Sequence, residues 1–185
     1  MSAPVSNIKD AVKTELSLVQ STPKRHELVI GPLKVKVLGR DGQPTFESPV
    51  FVDTDASLAG FRDSLFDEIH AYHVLQRMGG AGDAKSFFAM FTELWRVLKP
   101  GGHIFATVPS CMSDWLWGDP GNVRAITCAT ITFLQQPEYD KQVGVTAMSD
   151  YRPIYKADFE PELLQDDSRE LRIVLRAIKP PRGMT

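Results

Sequence analysis

Hydrophobic residues recur at two different spacings in the middle of the chain, and each spacing predicts a different element. A helix over residues 84–98 would have one apolar face, because four large residues follow helical spacing: Phe91, Leu94, Trp95 and Leu98. The continuous apolar run over residues 104–108 predicts a buried strand that ends at Pro109. Pro100 cannot continue the helix, and the two glycines after it permit a tight reversal. We therefore predict a helix followed by an interior strand of a parallel sheet.

Shorter apolar runs on either side of this unit predict further strands. Three precede the helix, over residues 27–31, 50–53 and 67–71, and two follow it, over residues 151–164 and 171–178. A polar turn joins the last two, which are expected to form an antiparallel pair at the edge of the sheet.

The remaining segments are predicted to be helical or irregular. Prolines and glycines punctuate residues 32–49, so we expect a loop or hairpin where a doubly wound fold has its first helix. A threonine can cap a helix over residues 128–136, and residues 137–148 are expected to be irregular. Residues 1–24 are predicted to be a helical appendage, and residues 25–182 one α/β domain with a Rossmann-like, mostly parallel sheet.

Composition narrows the class of function. The chain has 185 residues, a formal net charge of −2 and 24% charged residues, which are ordinary values for a globular domain. We therefore expect no general nucleic-acid binding and, since no apolar run is long enough to cross a bilayer, no membrane contact. Cys111 and Cys128 lack the spacing of metal ligands, so we expect no metal site and a reducing, cytoplasmic location.

Two stretches of sequence carry a resemblance to a known family: FDEIHAYHVLQR at residues 66–77 and ELWRVLKPGG at residues 93–102. They are similar to the fourth and fifth strand regions of class I S-adenosylmethionine-dependent methyltransferases, in a divergent form with a shortened amino-terminal half. The resemblance implies a Rossmann-like methyltransferase fold, S-adenosylmethionine as cofactor and methyl transfer to an unidentified small-molecule acceptor. Family members usually fit a further strand where residues 54–65 stand, so we expect that third strand to be truncated or missing.

Residues at the ends of the predicted strands are the candidates for cofactor binding. Gly31 ends the first strand, where a doubly wound domain has its cofactor loop, and Asp53 ends the second, about 20 positions later. A carboxylate at this place can accept hydrogen bonds from both ribose hydroxyls, although a capping or turn aspartate would have the same sequence position. The resemblance implies that His70 and Ala71 border the methionine end of the cofactor.

The candidate catalytic residues, Tyr72 and His73, end the same strand as His70. Either could act as a base toward the acceptor, and either could equally be a buried side chain with a satisfied hydrogen bond. Farther along, a tryptophan-containing loop resembles the acceptor-side segment of related methyltransferases. This resemblance assigns four residues to the substrate side: Trp117, Asp119, Asn122 and Arg124. The tryptophans of the loop could instead cover the core from outside.

A second hypothesis is a catalytically inactive methyltransferase-like module that serves in binding or structure. Only Gly31 follows the first strand, where the family usually has Gly-x-Gly, and Arg77 and Asn122 stand where it has histidines. Under both hypotheses the helical appendage over residues 1–24 offers a surface for homo-oligomer formation.

Overall fold

The computed structural model describes residues 25–31, 49–53 and 57–183. The predicted helical appendage over residues 1–24, with its suggested role in oligomer formation, lies outside these residues. The same is true of most of the predicted loop or hairpin over residues 32–49.

One six-stranded sheet forms the centre of the domain. Its strands, in chain order, are β1 (Glu27–Ile30), β2 (Pro49–Val52), β3 (Phe66–Tyr72), β4 (Leu98–Pro109), β5 (Phe159–Asp166) and β6 (Glu170–Ala177). The order across the sheet is β2-β1-β3-β4-β6-β5. β1 to β4 are mutually parallel, and β6 runs antiparallel to both of its neighbours. The predicted mostly parallel sheet with a carboxyl-terminal antiparallel pair is therefore confirmed.

The described helices are α1 (Ala84–Val97), α2 (Asp114–Gly118), α3 (Cys128–Thr132) and α4 (Gln136–Gln142), with two short 3-10 turns at Leu58–Gly60 and Leu75–Arg77. α1 begins where predicted, because the Asp83 carboxylate accepts a hydrogen bond from the Ser86 amide at 3.1 Å. The predicted threonine cap is also present, since the Thr127 hydroxyl accepts from the Thr130 amide. None of the helices in the described part of the chain has both the length and the apolar character that a bilayer crossing requires.

The hydrophobic core lies between α1 and one face of the sheet. The apolar face of α1 is buried through Phe87, Phe88, Phe91, Leu94 and Val97. Alternate strand residues meet it, as the two-residue period of a strand requires: Leu28, Ile30, Ile69, Ala71, Ile104, Ala106, Leu171 and Ile173. The sheet and the helix are thus held together by burial of these two apolar surfaces.

Four sequence-based element assignments were wrong in part. β4 begins at Leu98 and not at residue 104, because Leu98 already pairs with Phe66 before residues 99–102 bulge away from β3. Helix α4 occupies part of the segment predicted to be irregular, where Pro137 lies in the first turn and so leaves the helix intact. Residues 151–158 form no strand; the Tyr155 amide donates to the Tyr151 carbonyl at 2.9 Å, which closes a turn. The helix predicted over residues 128–136 likewise ends at Thr132.

The shortened amino-terminal half is visible between β2 and β3. Residues 57–65 contain the 3-10 turn at Leu58–Gly60 and no strand, so this described segment adds no further member to the sheet beyond β2. β2 lies on one side of β1, and β3 lies on the other. The chain thus passes from β1 to β2 on one side, and then from β2 to β3 on the other side of β1. We call the carboxyl ends of β1 and β3 the reversal point, because open α/β sheets bind ligands where the strand order reverses in this way.

Candidate functional site

Gly31 and Asp53 lie side by side at this reversal point. The Gly31 amide donates a hydrogen bond to the Val52 carbonyl at 3.1 Å, so Gly31 directly neighbours the exposed Asp53. The register pairs Ile30 with Val52 on one side and with Ala71 on the other. Three of the four predicted cofactor-binding residues are therefore brought to the same edge of the sheet.

Gly31 also has a conformation that favours glycine. Its φ is +144°, and a Cβ built on it would lie 3.2 Å from Val74 Cγ2. A side chain at this position would be strained by the backbone and crowded by Val74. The glycine at the end of β1 is thus required by the local structure of the chain itself.

His70, the fourth predicted cofactor residue, points to the other side of the sheet from Ala71. Its ring is buried, its Nδ1 lies 3.0 Å from the Tyr72 hydroxyl, and it stacks on Phe105 with ring centroids 5.3 Å apart. Ala71 belongs to the core on the α1 side. Burial, with a smaller effect of the nearby Glu68 charge, raises the pKa of Tyr72 to about 12, so its phenol is neutral near pH 7.

His70 also lies close to two carboxylates on this face. Donor atoms of Glu27, Glu68 and His70 are all within 4.8 Å of one another, and His70 Nε2 lies 3.4 Å from a Glu68 oxygen. These donor types can bind a metal ion. Glu27 and Glu68 are paired in register toward the amino ends of β1 and β3, away from Gly31, whereas His70 pairs with Val29 nearer the carboxyl ends.

His73 occupies the first position after β3, in a conformation unusual for a residue with a side chain. Its φ is +54°, and its backbone is held by two hydrogen bonds, from its amide to the Thr107 carbonyl (2.8 Å) and from Gln76 Nε2 to its carbonyl (2.9 Å). Its Nε2 lies 2.8 Å from a Glu170 carboxylate oxygen. When Nε2 carries the proton toward Glu170, Nδ1 has the lone pair that can accept another proton.

A cavity of about 580 Å³ lies beside His73, and we call it the acceptor pocket. Its walls come from the segment after β3, the segment after β4 and the β5–β6 turn. The residues that line it include His73, Gln76, Arg77, Asp114, Trp115, Asp119, Asn122 and Arg169. Two of the four predicted substrate-side residues, Asp119 and Asn122, therefore share a cavity with one of the two predicted catalytic residues.

Arg77 and Asp119 join two walls of the acceptor pocket. Their side chains form an ion pair, and the second Asp119 oxygen accepts from the Gly121 amide at 2.8 Å. A Cβ built on Gly121 would lie 2.6 Å from Arg77 Nη1, so the absence of a side chain there allows the guanidinium to approach. Arg77, which stands where the family has a histidine, thus fixes the loop after α2.

The other two predicted substrate-side residues lie elsewhere. Trp117 is 71% exposed, and its indole N–H donates to the Cys111 carbonyl at 3.1 Å. Arg124 donates from Nη2 to the Gly80 carbonyl at 2.7 Å and stacks on Phe87, which fastens its loop to the start of α1. Of the two loop tryptophans, Trp115 lines the acceptor pocket and Trp117 does not. The sequence alone did not show which of the two would do so.

Glu170 is the residue of this site that the sequence did not indicate. It is the first residue of β6, paired in register with Pro109, and lies 97 positions from His73 along the chain. A glutamate that starts a strand carries no local signal of this role. Only the sheet order, which places β6 next to β4, brings the two side chains together.

Strand order and the polar residues at the reversal point define a doubly wound α/β domain of the Rossmann-like class. Residues 33–106 match the family model described as "Methyltransferase domain". This match covers less than half of the chain and agrees with the resemblance to class I S-adenosylmethionine-dependent methyltransferases. No curated protein matches the chain.

Several solved structures of methyltransferases are similar to this chain. One, from Archaeoglobus fulgidus, is titled a SAM-dependent methyltransferase; it is 13% identical, has a TM-score of 0.47, and the similarity covers 91% of this chain and 94% of that one. The N-methyltransferase NodS from Bradyrhizobium japonicum, solved with S-adenosyl-L-homocysteine, is 15% identical with a TM-score of 0.45, over 94% of this chain and 89% of its own. A methyltransferase from Mesorhizobium loti is 13% identical with a TM-score of 0.45, over 90% and 99%. At this distance the strand order, and not the superposition, is the basis for the fold class.

Proposed function

We propose that this protein transfers a methyl group from S-adenosylmethionine to a small-molecule acceptor, in the cytoplasm. The observation that carries the proposal is the arrangement at the reversal point of the sheet. Gly31 and Asp53 end β1 and β2 on one side of it, and the acceptor pocket with His73 and Glu170 lies beyond β3 on the other. Donor and acceptor sites on neighbouring strand ends are the arrangement that a transfer reaction requires.

The residues present fit the proposed cofactor. Asp53 is an exposed carboxylate directly after a parallel strand, the position from which an acid accepts hydrogen bonds from ribose hydroxyls. Gly31 and the backbone at Ala71 would flank the methionine part. When bound, S-adenosylmethionine supplies an electrophilic methyl group, and the electron pair of the broken carbon–sulfur bond stays on sulfur.

His73 is the proposed base. As the acceptor nitrogen or oxygen forms its bond to the methyl carbon, it loses a proton, which His73 takes on Nδ1. Glu170 fixes the ring through Nε2 and stabilises the positive charge that the ring then carries. Tyr72 is not proposed as a base, because its hydroxyl faces His70 and its raised pKa keeps it protonated. The cavity volume of about 580 Å³ supports a small molecule as acceptor.

Cofactor binding tests this proposal. We expect isothermal titration to show binding of S-adenosylhomocysteine, and Asp53→Ala to weaken it roughly tenfold or more, since a carboxylate that accepts two hydrogen bonds is lost. Asp63→Ala is the matched control: Asp63 is an exposed acid (75%) near the amino end of β3, and its loss should leave the affinity unchanged. Absence of both heat and a thermal shift with the wild-type protein would refute the proposal.

One observation favours the second candidate, a methyltransferase-like module without catalytic activity. Val74 Cγ2 occupies the space beside Gly31, so the glycine is explained by packing within the chain and needs no ligand. Under this candidate, neither S-adenosylmethionine nor its demethylated product changes the melting temperature, and Asp53→Ala keeps the biological function. Loss of that function in a correctly folded Asp53→Ala protein would count against it.

A further inference from the structure

Two charged residues that line the acceptor pocket make no charge pair within the described part of the chain. Asp114 lies in the first turn of α2, and Arg169 lies in the turn between β5 and β6. Neither the Asp114 carboxylate nor the Arg169 guanidinium forms a side-chain hydrogen bond or a close ion pair with another described residue, although the Arg169 charge lies near enough to Asp167 to help lower the pKa of that carboxyl. By contrast, Arg77 and Asp119 in the same pocket neutralise each other. The pocket therefore presents one negative and one positive group that do not neutralise each other.

Backbone hydrogen bonds anchor the two segments that carry these charged residues. The Ser110 amide donates to the Arg169 carbonyl at 3.0 Å, and the Ser113 amide donates to the Ser110 carbonyl at 3.0 Å. These bonds tie the β5–β6 turn and the start of α2 to the end of β4. A lone exposed charge needs no partner because water solvates it. Asp114 and Arg169 are exposed, and two opposite charges that line one cavity provide complementary contacts for a ligand that carries both signs.

Two buried amide groups at the same pocket lack hydrogen-bond donors. Gln76 Nε2 donates to His73, and Asn122 Nδ2 donates to the Trp115 and Leu116 carbonyls. Their amide oxygens, Gln76 Oε1 and Asn122 Oδ1, have no partner among the residues that the structure describes. Buried polar atoms are normally satisfied, so the missing partners at this wall are donors and not acceptors. Both oxygens are shielded from solvent, so a donor in the cavity would reach them only after a side-chain rearrangement.

We propose that the acceptor is a small zwitterion, with its cationic nitrogen toward Asp114 and its carboxylate on Arg169. This inference rests on the proposed function, because the bound molecule is a methyl acceptor only if the protein transfers a methyl group. Trp115 adds an indole face, which attracts a cation. The Arg169 guanidinium can donate two parallel hydrogen bonds to a carboxylate. His73 and Arg169 line the same cavity, so the bound molecule lies beside His73.

Other ligand classes fit this pocket less well. A polyanion such as a nucleotide would meet the carboxylates of Asp114, Asp119 and Glu170 in or beside the same cavity. An uncharged aromatic molecule could stack on Trp115, but it would leave Asp114 and Arg169 without partners. A ligand of mixed charge is the class that pairs with both Asp114 and Arg169.

A series of ω-amino acids from glycine to aminohexanoate tests the inference, because it varies the distance between the ammonium and carboxylate groups. We expect one chain length to bind the wild-type protein, by titration calorimetry or ligand-observed NMR, roughly tenfold tighter than the carboxylate-only and amine-only molecules of equal length. Asp114→Asn and Arg169→Gln should each remove that advantage. The matched controls are Asp63→Asn and Lys156→Gln, both at exposed charges outside the pocket, which should preserve it.

The outcomes separate this inference from the proposed function. Binding of the zwitterion needs no cofactor, so it is measured independently of S-adenosylhomocysteine. Equal binding of the zwitterion and its singly charged analogues, or an unchanged advantage in both pocket variants, overturns the zwitterion assignment. Zwitterion binding without any S-adenosylhomocysteine binding would instead overturn the methyltransferase proposal and leave the charge assignment of the pocket standing.

Discussion

His73 and Tyr72 are neighbours in sequence, but their environments differ, and we therefore propose different roles for them. His73 is 51% exposed, lines the acceptor pocket and contacts Glu170 at 2.8 Å. Tyr72 is hydrogen-bonded to the buried His70, and its pKa is raised to about 12 by burial, with the Glu68 charge adding to the effect. Of the two, only His73 lines the pocket and keeps a second ring nitrogen besides the one that contacts Glu170.

This difference gives a prediction for catalysis. We expect His73→Gln to lower kcat roughly a hundredfold or more, the usual effect of losing a positioned base. Tyr72→Phe should leave kcat and its pH dependence between about pH 6 and 9 unchanged, because a phenol with the raised pKa does not titrate there. Steady-state rates over that pH range measure both. Circular dichroism spectra that match the wild type show that both variants fold. A pH profile that changes in Tyr72→Phe but not in His73→Gln would contradict the choice of His73 as the base.

The sequence predicts where a residue lies along the sheet more readily than which residues its side chain contacts. Gly31, Asp53 and His73 follow apolar strands, so their location at the carboxyl edge of the sheet could be deduced from hydrophobic pattern. The sequence assigned Trp117 and Arg124 to the substrate side, whereas the structure directs Trp117 to the surface and Arg124 to the start of α1. Side-chain direction in an irregular loop depends on contacts that no periodic pattern records.

At the element scale, the junction of α1 and β4 fixes the position of the central strand. Leu98 pairs with Phe66, and pairing resumes only at His103 with Glu68, so four residues form a bulge between them. Gly101 in this bulge has φ +76°. A Cβ on Gly102 would lie 2.9 Å from the Asp67 carbonyl oxygen and 3.1 Å from that of Lys99. Glycine at residue 102 thus permits a backbone-to-backbone approach that a side chain would prevent.

This junction gives a prediction for stability. Gly102→Ala should reduce the free energy of unfolding by about 2 kcal/mol, because backbone must shift to admit the methyl group. Gly60→Ala is the matched control, since Gly60 has no atom within 4 Å of its added Cβ and should change stability by less than about 0.5 kcal/mol. Urea denaturation measures both variants. Equal midpoints for the two proteins would show that the bulge is not tightly packed.

Elements with a strong period were predicted well, and those with mixed signals were not. α1 has a regular apolar face and an aspartate cap, and its predicted range over residues 84–98 differs by one residue from Ala84–Val97. α4 was missed because Pro137 suggests an interruption, although a proline in the first turn is compatible with a helix. Residues 151–158 resemble a strand in composition, but Tyr155 packs on Phe88 in the core, with ring centroids 4.8 Å apart. Tertiary packing decides such segments.

At the scale of the whole molecule, the order of the strands connects the separate parts of the account. The reversal between β1 and β3 places one potential ligand site over β1 and β2, and the acceptor pocket over the ends of β3, β4 and the start of β6. Strand existence and the mostly parallel class could be predicted from the sequence, and the family match supports them. The insertion of β6 between β4 and β5, which delivers Glu170 and Arg169 to the pocket, depends on long-range pairing that local patterns do not specify.

The most direct test of the central claim is a crystal structure of the protein with S-adenosylhomocysteine. The account predicts the ribose hydroxyls on the Asp53 carboxylate, the nucleoside over the carboxyl ends of β1 and β2, and the sulfur directed toward the acceptor pocket and His73. A ligand bound elsewhere, or a site beside Asp53 that stays empty at saturating ligand, would contradict the claim that this domain is built to bring a methyl donor and an acceptor together.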